Sequence, residues 1–289
     1  MSDLDFSRRA VLGGFALLGA GCTADTLSLP GFAKATGKML PGLTTPEANL
    51  QHIMRMSASL DGKDAPWRFT GTIYGIIGEG QPRSLFKFEG MEIYRLTPLG
   101  DGSYEMTGNT VTFFRDVETG EYIYEFYNPY TSKRIDVPAS VQGGGPGRGY
   151  TYAIDGIRPT FLRNQMPDDP PNFEWEAVEG TVWVHSSRVY PPGMTTPRAE
   201  RQTAFALLKE FLDPDAKRYS AHFSSTFFAP WLGWMEMEDR PGHMIWHAGG
   251  VKLSSIDQLS PRYRERIERE YPERLTGLPD AGSGGKEVE

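Results

Sequence analysis

Ser84-Leu85-Phe86-Lys87-Phe88-Glu89-Gly90-Met91-Glu92-Ile93-Tyr94-Arg95-Leu96-Thr97 is the stretch on which the fold turns. Apolar side chains at Leu85, Phe86, Phe88, Met91, Ile93 and Tyr94 are interleaved with small or charged ones. A period near two sends successive side chains to opposite faces of an extended chain, so the stretch predicts a β-strand. Upstream, Arg68 to Ile77 alternates around Phe69, Ile73 and Tyr74; downstream, Tyr104 to Arg115 is rich in threonine and aromatic residues. Asp116–Gly120 and Asn128–Thr131 read as turns flanking a strand from Tyr122 to Tyr127. Four strands joined by three short turns make a meander.

The pattern continues beyond a break. Gln142 to Gly149 is too glycine-rich for regular structure and reads as a surface loop or a lid over a pocket. Phe173 to Val189, Tyr219 to Phe228 and Met244 to Leu253 read as strands, and Gln202 to Phe211 as a strand or a helix. Thr45 to Leu60 predicts a helix, capped by Thr45 with Pro46 in its first turn. Asp257 to Tyr271 predicts a second, charged helix. The fold class is therefore mainly β: an antiparallel β-barrel or strongly curved sheet, calycin- or lipocalin-like, with flanking helices. Barrels of about eight strands can hold one small ligand. The expected layout is a signal over residues 1–35, a helical lead-in over 36–66, the β-domain over 67–279 and a disordered tail over 280–289.

The signal reading rests on Arg8-Arg9, which precede the short apolar run Ala10 to Ala20. Roughly 20 apolar residues are needed to span a bilayer, so this run fits a signal h-region, and its arginine pair fits the twin-arginine route. Cleavage after Ala33-Lys34-Ala35 would free the protein in the periplasm or outside the cell. Lipidation of Cys22, the sole cysteine, would tether it to a membrane. The twin-arginine translocase is thus an expected partner. A net charge of −7 without a basic run argues against nucleic acid.

The densest chemistry lies in Pro230 to His243, which holds Trp231, Trp234, Met235, Met237, Glu236, Glu238, Asp239 and Arg240. It reads either as an apolar corner plugging a barrel end or as a pocket wall of Trp and Met with a few fixed polar groups. His243 and His247 stand four apart, an even spacing that places both on one side of a strand. One of them as general base, oriented by Glu236 or Asp239, with Arg240 holding an anion, is the acid–base reading. A metal held jointly with His185 is another reading, although nothing in the spacing makes the three converge. Trp183, His185, Trp231, Trp234, Met235, Trp246, Tyr127 and Asn128 are the candidate ligand contacts. No serine-hydrolase elbow and no dinucleotide fingerprint occurs, and no cofactor is specified.

Several of these pieces are shared. Leu85-Phe86 with Glu89-Gly90, Thr119-Gly120-Glu121, Asn128-Pro129-Tyr130-Thr131, Pro230-Trp231, Trp234-Met235 with Met237, Arg240-Pro241-Gly242 and His247-Ala248 with Gly250 and Lys252 resemble a bacterial family, domain of unknown function 1838. The resemblance implies a common fold and, through the family's frequent twin-arginine signals, export. It implies no general activity. Ser132 stands where the family turn ends in glycine, and Ser225-Thr226-Phe227 stands in place of a Trp-x-Arg.

The functional expectation is an exported enzyme acting on a small apolar or aromatic compound by acid–base chemistry inside the β-structure. The alternatives are a lipocalin-like binder without catalysis and an assembly protein without a pocket.

Overall fold

The computed structural model describes residues 40, 42–43, 45–78, 80–143, 149–154, 156–159, 172–189 and 199–278. The arginine pair, Cys22, Ala35, the centre of the glycine-rich run and the tail lie outside them. In chain order come α1 (Pro46–Ser57), β1 (Ala65–Ile76), β2 (Arg83–Pro98), β3 (Tyr104–Arg115), β4 (Glu125–Asn128), β5 (Lys133–Asp136), β6 (Ser140–Gly143), β7 (Tyr150–Ala153) and β8 (Gly156–Pro159). Then follow β9 (Asn172–Val178), β10 (Thr181–Val189), β11 (Ala199–Leu207), α2 (Leu208–Phe211), β12 (His222–Ala229), β13 (His243–Lys252) and α3 (Pro261–Glu270).

One antiparallel sheet runs β8-β7-β3-β2-β1-β13-β12-β11-β10-β9, with β6 also on β3. It curls into a half-barrel, and among the described residues no ladder joins β8 to β9. The meander holds for β1, β2 and β3. Its fourth strand does not: Tyr122 makes a single bridge to Arg115, and the chain then leaves the sheet for a separate β4–β5 hairpin. Ile123 and Phe126 pull it away by packing into an apolar cluster at one end of the sheet. Phe173 to Val189 is two strands, because Glu179 and Gly180 both adopt positive φ (48° and 80°), the geometry of a tight two-residue hairpin turn. Gln202 to Phe211 is a strand through Leu207 followed by a single helical turn.

Tight curvature needs room on the concave face. Phe69 pairs with Gly90, and Gly71 with Phe88, across β1 and β2. A Cβ on Gly90 would lie 2.3 Å from the Phe69 ring, and one on Gly71 would lie 2.6 Å from the Phe88 ring. Each phenyl ring therefore lies over a glycine, which covers the exposed backbone while letting the strands bend.

The two ends of the concave interior are closed differently. At one end α1 docks inside, burying Leu50, Ile53, Met54 and Met56 against Trp67, Trp175, Val182, Val184, Ala204 and Phe211. Each such aliphatic side chain contributes roughly 1.5–3 kcal/mol when fully buried. The indole N–H groups of Trp67 and Trp175 donate to Ser57 O and Asn49 Oδ1, both at 2.8 Å. Lys252 Nζ, from β13, donates to the Arg55 and Ala58 carbonyls at 2.8 and 3.0 Å, satisfying the helix C-terminus. At the other end, the 230–242 segment and the β4–β5 hairpin close over Ile73, Phe86, Phe88, Phe114 and Met244. The convex face of β2 and β3 is buried too: Met91, Ile93, Val111 and Phe113 lie under Tyr263 and Ile267 of α3.

Candidate functional site

The Trp–Met segment forms an apolar corner at an end of the half-barrel. Met235 is fully buried, and Trp234 packs its ring 5.5 Å from both Phe86 and Phe114. Trp246 lies on the same interior face, 5.2 Å from Phe88, and Trp231 packs at a tilt against Tyr130, 5.4 Å away. Asn128, also fully buried, locks the corner: its Nδ2 donates to Met235 O at 2.8 Å and its Oδ1 accepts from Tyr130 N at 2.9 Å. Tyr127, one residue earlier, is exposed.

The polar members of that segment point away from the interior. Glu236 is exposed and pairs with Lys133 at 3.1 Å; Arg240 is exposed and lies 3.8 Å from Glu238. His243 and His247 share one side of β13, as their spacing requires, and that side is the convex one. His247 is exposed and within 3.2 Å of Thr226 Oγ1, while His243 lies beside Phe228. His185 and Trp183 also face outward from β10, His185 against Thr203 at 2.9 Å and Trp183 stacked on Phe205 at 4.6 Å. The structure thus does not gather His243, His247, Glu236 and Arg240 around one point. Among the described residues no group of three or more His, Cys, Asp or Glu is placed to hold a metal ion.

The chemistry that does converge lies in the middle of the concave interior. A cavity of about 390 Å³ opens there, within the range of roughly 300–1,000 Å³ usual for small-molecule sites. It is lined from α1 by Ile53 and Ser57, and from eight strands belonging to both limbs of the sheet. One limb supplies Glu92 and Tyr94 of β2, Met106 and Thr110 of β3, Gln142 of β6 and Tyr152 of β7. The other supplies Phe173 of β9, Ser186 of β10, and Glu200 and Gln202 of β11.

Strand register explains the polar character of the middle. Glu92 and Thr110 are cross-strand partners on β2 and β3, and Ser186 and Gln202 are partners on β10 and β11. Thr110 Oγ1 donates to Glu92 Oε1 at 3.0 Å, and Tyr94 also hydrogen-bonds Glu92. Burial raises the Glu92 carboxyl above the ordinary carboxylate range, against the lowering effect of these hydrogen bonds, and the charge of Glu200 adds to the rise. Burial, reinforced by Glu92, lifts the Tyr94 phenol well above its usual value. Tyr94 therefore stays a proton donor, while Glu92 is biased toward its neutral acid. A carboxyl raised in this way holds its proton more readily than an exposed one and is better suited to act as an acid.

The α1 end holds two further perturbed groups. His52 is buried, stacks on Phe211 at 4.0 Å and lies 2.6 Å from the Tyr219 hydroxyl. Burial, helped by Arg55, lowers it to about 4, so the ring is neutral. Burial likewise drives Lys252 well below its usual range, with Arg218 adding to the effect.

Glu92, Tyr94, Glu200 and Gln202 escaped the sequence reading. The signal was present, a charged residue between two apolar ones at Met91-Glu92-Ile93. Because α3 buries the opposite face of β2, both phases of the strand are apolar there, and Glu92 did not stand out as an interior charge.

Among known proteins, the model of a family described as "Protein of unknown function (DUF1838)" matches residues 62–141 and 189–280. Glu92, Tyr94, Thr110, Glu200 and Gln202 lie inside these two segments, whereas Tyr152, Phe173 and Ser186 lie between them. No protein of curated function matches the sequence. The crystal structure of Rv2717c from M. tuberculosis is similar at 11% identity, covering 64% of this chain and 91% of that one, with a TM-score of 0.22, too low to carry any argument. The matched segments take in strands β1 to β3 and β11 to β13 of the curved sheet, the Trp–Met corner and α3, and the chain belongs to the DUF1838 family.

Proposed function

We propose that the protein is an enzyme acting on a small organic molecule by acid–base chemistry inside the half-barrel, with Glu92 as the group that gives and takes the proton. One observation carries this reading. A half-buried carboxyl with a raised proton affinity opens onto a cavity of ligand size, held by Thr110 and Tyr94, with Glu200 lining the facing limb. Tyr94, on this reading, orients Glu92 and keeps a proton at its side. Placing a carboxyl inside a barrel lowers stability, and such costs concentrate where function demands them.

The test is a turnover screen. Full-length protein with its leader removed, and the E92Q variant, are incubated with a mixed small-molecule extract, and substrates and products are followed by mass spectrometry. Selective consumption by the wild type and none by E92Q is expected. If neither consumes anything while both retain the same compound, the protein is a lipocalin-like binder and the catalytic reading is lost.

Export by the twin-arginine route is part of the same proposal, supported by Arg8-Arg9 ahead of a short apolar run. Replacing both arginines with lysine is expected to leave the protein in the cytoplasm; undiminished export would overturn it.

A further inference from the structure

Resting on the acid–base reading of Glu92, we infer that the ligand is an uncharged, polyhydroxylated ring compound of carbohydrate type. The cavity presents two polar pairs facing each other across its width, Glu92 with Thr110 from one limb and Gln202 with Ser186 from the other. An apolar ligand would strip water from all four and return no hydrogen bond, which disfavours its entry. An anion would find no lysine, arginine or histidine among the described lining residues to hold it. A cation would find Glu92 biased toward its neutral form, and phenethylamine in the panel below tests whether Glu200 holds one instead.

A sugar-like ring meets none of these objections. Its neighbouring hydroxyls donate and accept at once, which suits an amide such as Gln202 and a carboxyl such as Glu92, each able to engage two adjacent groups. Its C–H face suits the rings of Tyr150 and Tyr152, of which Tyr150 is 40% exposed. The bridging of both limbs by one ligand follows from hydroxyls arranged all round a ring. Polar contacts of this kind fix orientation while apolar walls, here Ile53, Met106 and Phe173, supply burial.

The experiment is calorimetric titration of the full-length protein, leader removed, with methyl α- and β-pyranosides of glucose, galactose and mannose, and with phenethylamine and 1-naphthol. Stoichiometric binding of at least one pyranoside is expected. Q202A, S186A and Y152A each weaken it by about tenfold or more, and H247A, on the convex face, leaves it unchanged. Circular dichroism melts identify any variant that fails to fold, and S186A, which removes only a hydroxyl, provides the mildest check. Binding of 1-naphthol or phenethylamine alone, or of nothing in the panel, overturns the inference. The two readings fail separately. A pyranoside that binds the wild type and E92Q alike but is never transformed leaves the ligand class standing and removes the catalytic reading. Glu92-dependent turnover of a compound without a hydroxylated ring does the reverse.

Discussion

The Trp–Met corner and the carboxyl-lined middle of the half-barrel are opposite kinds of region. The corner concentrates indoles, thioethers, acids and an arginine within 14 consecutive residues, Pro230 to His243. In space its apolar members are packed and its charges point to solvent. The middle takes one to three residues from each of many strands, none conspicuous in its local context, and brings them to a single cavity. Density of reactive residue types along a chain is thus a poor guide to chemistry in a sheet protein. Register, which pairs residue 92 with residue 110 and residue 186 with residue 202, assembles the site.

This contrast can be broken in several places. The largest expected effect is on turnover: E92Q should lower it by about 10²–10⁴-fold, the usual contribution of a positioned acid or base. The same variant should melt higher at neutral pH. Glu92 is raised in the folded protein, so its favourable contribution is complete below the unfolded-state value and is lost as pH rises. A neutral amide removes that loss; lower stability of E92Q at pH 7 would count against a strained functional carboxyl. In the corner the pattern should invert. M235A should cost about 2–5 kcal/mol in denaturant titration, as for a fully buried methionine, and leave turnover per folded molecule intact.

A pH experiment comes next in size. His52 falls from 6.5 to about 4 on folding, so the stability it supports is present above pH 6.5 and is lost as pH falls toward 4. The span corresponds to about 3 kcal/mol. Stability measured at pH 7 and pH 4.5 should show this loss in the wild type, and H52F should flatten it. N128A should destabilise by about 1–3 kcal/mol, because the Met235 carbonyl and the Tyr130 amide lose their partner. The smallest effect belongs to H247A on the convex face, expected within about 0.5 kcal/mol of wild type and without consequence for turnover.

Much of the architecture was legible because local chemistry decides it. The alternation around Phe86, Phe88 and Ile93 gave β2, and Thr45-Pro46 gave the start of α1, with Thr45 Oγ1 accepting from Ala48 N at 3.2 Å. What failed was decided at long range. The departure of β4 from the sheet depends on an apolar cluster completed by residues near 235, about a hundred positions later. The direction faced by His243 and His247 was readable only as a shared side; which side was concave depended on pairing with Thr72 and Ile76. The cavity depends on residues between 53 and 202, which no local pattern links.

The placement of α1 has a kinetic consequence. Asn49 and His52 hold Trp175 and Tyr219, which follow them by 126 and 167 residues. The helix is made early but cannot reach its seat until β9 to β11 exist, so its docking is a late, non-local event of the sort that slows folding. Ile53 and Ser57 are also cavity wall. The cavity therefore comes into being in the same step that finishes the molecule. Under the proposed function, a ligand bound there would act as a latch, stabilising the docked helix by mass action.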